Sequence, residues 1–149
     1  MTEESQLAYA AGLLDGESCI GAYNIRQATE TKSPYAQVTV VVGMVTPFAV
    51  KFLHEMFGGT LIIKKPKDTR RLVFCWTVRN LQAEECLRRV LPFLREKREQ
   101  AEVALALSEL RRSRKGTQRL TSEEITERET YVQKLKDLKR VEYSSISLQ

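Results

Sequence analysis

The sequence predicts an α+β fold in which four strands, arranged as two hairpins, make one antiparallel sheet with helices over one face and the other face left open. Three observations predict it. A ββα pattern occurs twice in succession along the chain. In "QVTVVVG" the residues Val38, Val40 and Val42 fall on one side and Gln37, Thr39 and Val41 on the other, the two-residue period of a strand. The segments around the strands carry apolar residues at helical spacing instead, and 149 residues with 42% hydrophobic content are enough for one domain, residues 1–149, with a packed core.

The elements follow in order. Ser5 is placed to cap a first helix running to about Leu14, with Leu7, Ala11 and Leu14 on one stripe and Gly16 to end it. Strands are expected from Cys19 to Ile25 and from Tyr35 to Val45, with the polar "RQATETKSP" as the hairpin loop between them. Thr46 and Pro47 then supply a cap and a first helical residue; Phe48, Phe52, Leu53 and Met56 form the apolar stripe, and Gly58 and Gly59 stop the helix. A second strand pair, "TLIIKK" and "RLVFCWTV", is joined by a basic turn. Because Phe74 and Trp76 alternate with Cys75 and Thr77, the two aromatics are expected beneath the helices, while Tyr35 stays undecided. Asn80 is placed to cap "LQAEECLRRVL"; Pro92, which has no N–H for an internal bond, is expected to begin a new helix reaching about Ser113. Thr121 with Glu124 three residues on reads as a capping box for a C-terminal helix that carries Ile125, Val132, Leu135 and Leu138 inward.

Charge is distributed unevenly. The formal net charge is +5, yet residues 1–23 hold four acids and no lysine or arginine, whereas "KKPKDTRR" at 64–71 holds five basic residues and one acid. This asymmetry suggests a polyanionic partner gripped by basic loops around an acidic centre, against the plainer alternative of a solvated charged turn. The three cysteines, Cys19, Cys75 and Cys86, lack paired short spacing and the single histidine, His54, has no second ligand in pattern; both a zinc site and a disulfide framework are disfavoured, and His54 reads as a structural or surface residue. The apolar stretches at Val38–Val45 and Val103–Leu107 are too short to span a bilayer, and the start of the chain, with Glu3 and Glu4, lacks a signal peptide's basic region. A cytoplasmic or organellar-matrix location is expected.

The stretch "YAAGLLDGES" at 9–18 poses a physical question, because it puts Asp15 and Glu17 where a helix should be ending. Acids there oppose the negative end of the helix macrodipole at a cost of about 0.3–1 kcal/mol each, so something positive should compensate. The small residues Ala10, Ala11 and Gly12 allow another helix to approach at backbone distance. If that helix is the same one in a second copy, two Glu17 carboxylates converge and a divalent cation is the natural neutraliser.

At this point the chain resembles a known family. "AAGLLDGES" at 10–18 is similar to the nine-residue LAGLIDADG motif of homing endonucleases: it matches at Ala11, Gly12, Leu13 and Asp15, changes conservatively at Leu14 and Glu17, and departs at Ala10, Gly16 and Ser18. Strands begin at once after the motif, "FGG" closes the next helix, and "PFLREKREQAEVAL" at 92–105 resembles the segment that carries the family's pocket lysine. The resemblance implies an αββαββα saddle whose antiparallel sheet faces DNA, with extra C-terminal helices. It also implies a Mg²⁺-dependent DNA endonuclease, with Mn²⁺ or Ca²⁺ able to substitute in binding. A chain with one motif is then expected to act as a homodimer on a long near-palindromic site, pairing through Leu7, Ala10, Ala11 and Leu14.

The same resemblance suggests roles for individual residues. Glu17 takes the position of the metal ligand, with the Gly16 carbonyl beside it; its alternative is a plain turn acid. Asp15 takes a structural position that holds the turn. Lys97 matches the lysine near the scissile phosphate, with Arg95 and Arg98 as the neighbours it can be confused with and an exposed helical lysine as the other reading. A polar residue that orders water falls on Thr46, or on Met44 if the gap lies elsewhere, and Thr46 is equally well read as a helix cap. DNA contacts are expected from Tyr23, Arg26, Gln27 and Lys32 in the first hairpin, Gln37 and Thr39 on its return strand, and Lys64, Lys65, Lys67, Arg70 and Arg71 in the second, each also compatible with simple solvent exposure. A non-cleaving relative, an intron maturase or transcription regulator, is the competing function.

Overall fold

The computed structural model describes residues 1–25, 35–68, 71–114 and 119–140. Arg26, Gln27, Lys32 and Arg70 lie outside the described residues. The elements are α1 (Glu3–Glu17), β1 (Ser18–Ile25), β2 (Tyr35–Met44), α2 (Phe48–Phe57), β3 (Thr60–Lys64), β4 (Val73–Arg79), α3 (Leu81–Val90), a 3₁₀ turn (Leu91–Phe93), α4 (Arg98–Ser113) and α5 (Ser122–Leu138). The four strands form one antiparallel sheet in the order β1-β2-β4-β3. The two hairpins therefore meet along β2 and β4 at the centre, with β1 and β3 at the edges.

Strand alternation sorts the side chains. Ile20 and Ala22 of β1, Val38, Val40 and Val42 of β2 and Trp76 and Val78 of β4 are buried against the helices. The helices answer with Ala10, Ala11 and Leu14 (α1), Val50 and Leu53 (α2), Ala83, Cys86, Leu87 and Val90 (α3), Ala101, Ala104 and Leu107 (α4), and Val132 and Leu135 (α5), all in one continuous core. Each fully buried Val, Leu or Ile contributes about 1.5–3 kcal/mol, which is what holds the helical layer on the sheet. Trp76 is fully buried as expected, its indole N–H donating to the Gly58 carbonyl at 2.8 Å, while Phe74 is half-buried. Gly58 and Gly59 have φ of 69° and 90°, and a Cβ on Gly59 would stand 2.4 Å from the Thr77 carbonyl oxygen. Only glycine lets the chain leave α2 and enter β3 that close to β4.

Several local expectations are corrected. Thr2, not Ser5, caps α1, its hydroxyl accepting the Ser5 N–H at 3.1 Å; a threonine in extended conformation one turn earlier takes the position. Pro47 is the N-cap of α2 and no side-chain cap bond forms, so Thr46 does not cap that helix. Asn80 does stand at the start of α3, but at φ 51° with its side-chain oxygen accepting from Arg111 at 2.8 Å instead of from its own helix. Pro92 sits in the 3₁₀ turn, and α4 starts only at Arg98. The capping box of Thr121 and Glu124 is present in both directions. Among the described residues no helix is long and apolar enough to cross a membrane.

Candidate active site and nucleic-acid interface

The end of α1 is tied to the start of α4 by a reciprocal clasp. The Asp15 carboxylate accepts the backbone N–H groups of Arg95 at 2.9 Å and Lys97 at 3.0 Å. The Lys97 ammonium in turn donates to the carbonyl oxygens of Leu14, at 3.1 Å, and Ser18. Lys97 is the N-cap residue of α4 but makes no side-chain cap bond there, so Asp15 performs that service from another element. The acid at the wrong end of its own helix serves the donor-rich start of α4, and the cation that offsets the carbonyl end of α1 is Lys97. Burial lowers the Lys97 pKa below the usual lysine value; Asp15, Cys19 and Glu17 oppose the shift and Lys139 adds to it. Ser18 completes the end of α1, its hydroxyl donating to the Leu14 carbonyl at 2.6 Å.

Glu17 is the last residue of α1 and stands exposed. Gly16 beside it is in the last turn, where helix carbonyls lack partners within the helix. These are hard oxygen donors of the kind Mg²⁺ takes. Among the described residues no three His, Cys, Asp or Glu side chains come together, so one protomer offers the Glu17 carboxylate and carbonyl oxygens, and any divalent ion held there draws its remaining ligands from elsewhere. Thr46 is exposed in the bend between β2 and α2, whereas Met44 is half-buried and packs against the core. His54 is exposed on α2.

The structure revises which face of α1 is open. Ala10, Ala11 and Leu14 are fully buried in their own protomer and Leu7 is half-buried, because the helical period aims that stripe at α3 and the sheet. The three buried side chains are therefore not on the surface that a second copy would meet. What α1 leaves open is Ala8, Gly12 and Gly16, at four-residue spacing, with Tyr9 alongside. Beyond the neighbouring residues and the backbone of α1 itself, no described atom lies within 4 Å of where a Cβ on Gly12 or Gly16 would sit.

The second sheet face carries Cys19, Gly21 and Tyr23 of β1, Gln37, Thr39 and Val41 of β2, Thr60, Ile62 and Lys64 of β3, and Val73, Cys75, Thr77 and Arg79 of β4. Tyr23 is exposed and Gln37 half-buried, while Lys64, Lys65, Lys67 and Arg71 stand exposed around the second hairpin. Thr39 is 3% exposed, so it is covered in this structure and does not itself present a surface for base contact. Two cations on this side were missed from sequence. Arg79 is exposed directly across the ladder from Thr39, a position that extending the alternation of β4 by one step would have found. Lys139 follows α5 and places its ammonium 3.3 Å from the Cys19 sulfur, a juxtaposition with no sequence signal.

Solved structures share this architecture. The homing endonuclease I-CvuI in complex with its target in the presence of Ca superposes with a TM-score of 0.71 at 21% identity, over 97% of this chain and 90% of that one. The archaeal intron-encoded homing endonuclease I-Vdi141I complexed with DNA gives 0.74 at 11% identity, over 98% and 91%. The fold is that of the homing endonucleases. The LAGLIDADG homing endonuclease I-SmaMI bound to cleaved DNA matches with a TM-score of 0.60 at 19% identity, over 85% of this chain but 42% of that chain. No protein-family model matches the sequence, and no curated protein matches it. The homing-endonuclease fold thus rests on three-dimensional likeness, and it accounts for the α+β layering and the open antiparallel face predicted above.

Proposed function

We propose that this chain is a site-specific endonuclease that hydrolyses phosphodiester bonds of double-stranded DNA as a homodimer with a divalent metal. The observation that carries the reading is the position of Glu17: an exposed carboxylate where the open stripe of α1 ends and the cation-rimmed sheet face begins. The fold shared with proteins solved on DNA supports it. So does the 42% coverage of I-SmaMI, since two copies of this chain would supply what that longer chain holds in one.

In this reading Lys64, Lys65, Lys67 and Arg71 hold backbone phosphates, and Tyr23, Gln37 and Arg79 face the major groove. Glu17 and the Gly16 carbonyl would hold Mg²⁺, which when bound supplies an activated water and neutralises charge at the leaving oxygen. The Asp15–Lys97 clasp fixes the backbone on both sides of Glu17, and the Lys97 ammonium adds positive potential where anionic charge builds up. Two-fold symmetry makes both half-sites see the same contacts, hence a near-palindromic target.

A plasmid library with a randomised insert, incubated with the protein and Mg²⁺, should yield linear molecules whose ends share one near-palindromic sequence, and Glu17→Gln should abolish cutting while retaining binding. Selective binding without any linear product would favour a non-cleaving relative, a reading consistent with the engagement of Lys97 by two carbonyls. Absence of selective binding would overturn both.

A further inference from the structure

The open sheet face is basic at its rim and apolar in its middle. Across one rung of the ladder Gly43 of β2, Cys75 of β4 and Ile62 of β3 stand in line, and Val41 and Val73 follow at two-residue spacing on β2 and β4. Alternation puts these residues on the side opposite Val42 and Trp76, away from the helices. Ile62 is 44% exposed and Gly43 is exposed, Val41 and Val73 are half-buried, and Cys75 is buried between them. The Val73 Cγ1 methyl lies 3.4 Å from where a Cβ on Gly43 would sit, so Val73 leans across toward β2. Exposed Lys64 and Arg79 bound the patch at opposite ends, and no acid stands among the described residues of this face. Ser18 pairs with Val42, the residue before Gly43, which sets the patch beside the Glu17 end of β1.

We infer that this patch selects thymine: Ile62, backed by Cys75 and flanked by Val41 and Val73, receives the 5-methyl group of a thymine in the major groove of each half-site; this rests on the DNA reading above. An aliphatic side chain offers neither donor nor acceptor, so it gains only by covering apolar surface. The thymine methyl is the apolar group that a base pair presents in the major groove. Guanine N7 and O6, adenine N6 or cytosine N4 pressed against Ile62 would lose water without gaining a partner. Lys64 and Arg79 at the rim match a polyanion but, as phosphate holders, do not distinguish one base pair from another. The same rim disfavours a second copy of this chain as the occupant, because two faces edged with cations and lacking acids repel each other.

The test starts from the duplex that the wild-type chain enriches from a randomised pool in Ca²⁺. Each thymine of that duplex is replaced in turn by deoxyuridine, which removes the methyl and keeps every hydrogen-bonding group. One thymine in each half-site should prove sensitive, with affinity falling about fourfold per methyl lost, the effect of burying one such group. Ile62→Ser, at an exposed position, should fold, lose the sensitivity at that thymine alone, and keep the slope of log K against log salt, because no phosphate contact is removed. Ile62→Arg should move the preference at the same position from thymine to guanine. Enriched duplexes without a shared thymine, deoxyuridine duplexes bound as tightly as the original, or a sensitivity that survives in Ile62→Ser would overturn the methyl contact and leave the DNA reading intact. If Ile62→Ser binds every duplex as wild type but loses self-association in sedimentation, the patch belongs to a second copy and the inference is overturned as well. A wild-type chain that enriches no duplex overturns both readings.

Discussion

The Asp15 carboxylate caps the backbone N–H of Lys97 at 3.0 Å while the Lys97 ammonium caps the carbonyl of Leu14 at 3.1 Å, so two residues 82 positions apart each complete the other's helix. The clasp sets the direction in which the chain leaves α1 and therefore where Glu17 stands.

Breaking it should cost stability in a coupled way. Asp15→Ala removes two charge-assisted bonds and should destabilise by about 2 kcal/mol, and Lys97→Met by about 1–2 kcal/mol. The double variant should lose less than the sum, with a coupling of about 0.5–3 kcal/mol from urea midpoints. Additive losses would show that the two residues act separately.

Glu17 should be dispensable for folding. It is exposed and makes no part of the clasp, so Glu17→Gln should stay within about 0.5 kcal/mol of wild type by thermal unfolding. A larger loss would mark it as a structural acid and remove the main support for its proposed role.

The open stripe of α1 separates protomer stability from assembly. Gly12 is exposed, a Cβ there meets no neighbour within 4 Å beyond its own helix backbone, and Gly12→Leu adds helix propensity worth about 0.5–1 kcal/mol, so the protomer should be at least as stable as before. Sedimentation should nevertheless shift from dimer to monomer. A dimer that tolerates the substitution would place the partner elsewhere.

The thiols should differ in reactivity. Cys19 is exposed, Cys75 and Cys86 are buried, and burial pushes the Cys86 thiol up to about 12 from an ordinary value of 9.0. Native protein should therefore take one equivalent of alkylating reagent quickly and three after unfolding. Between pH 9 and 12 the unfolded chain releases the Cys86 proton while the folded chain keeps it, so its contribution to stability is intact below pH 9 and falls by about 1.4 kcal/mol per pH unit above it. Cys86→Ala should flatten that part of the stability profile; identical alkaline slopes would exclude the effect.

Much of the fold was legible because it depends on local periodicity. The alternation through Val38, Val40 and Val42, the Gly58–Gly59 stop and the capping box of Thr121 and Glu124 are written within a few residues of one another and appear as read. The caps of the first three helices were less legible, since Thr2 against Ser5, or Asn80 bonded to Arg111 instead of its own helix, differ by a fraction of the energy that tertiary packing decides.

By itself the sequence determined the order of elements, the antiparallel sheet with one apolar face, and an acidic pair at the end of α1 that demanded a compensating cation, since these follow from residue spacing and charge. Only the tertiary structure decided that the cation is Lys97, that Ala10, Ala11 and Leu14 turn inward while Ala8, Gly12 and Gly16 stay open, and that Lys139 comes to lie over Gly21. Helical phase against a sheet, and contacts between residues tens of positions apart, depend on how whole layers pack, and no local window of sequence contains that information.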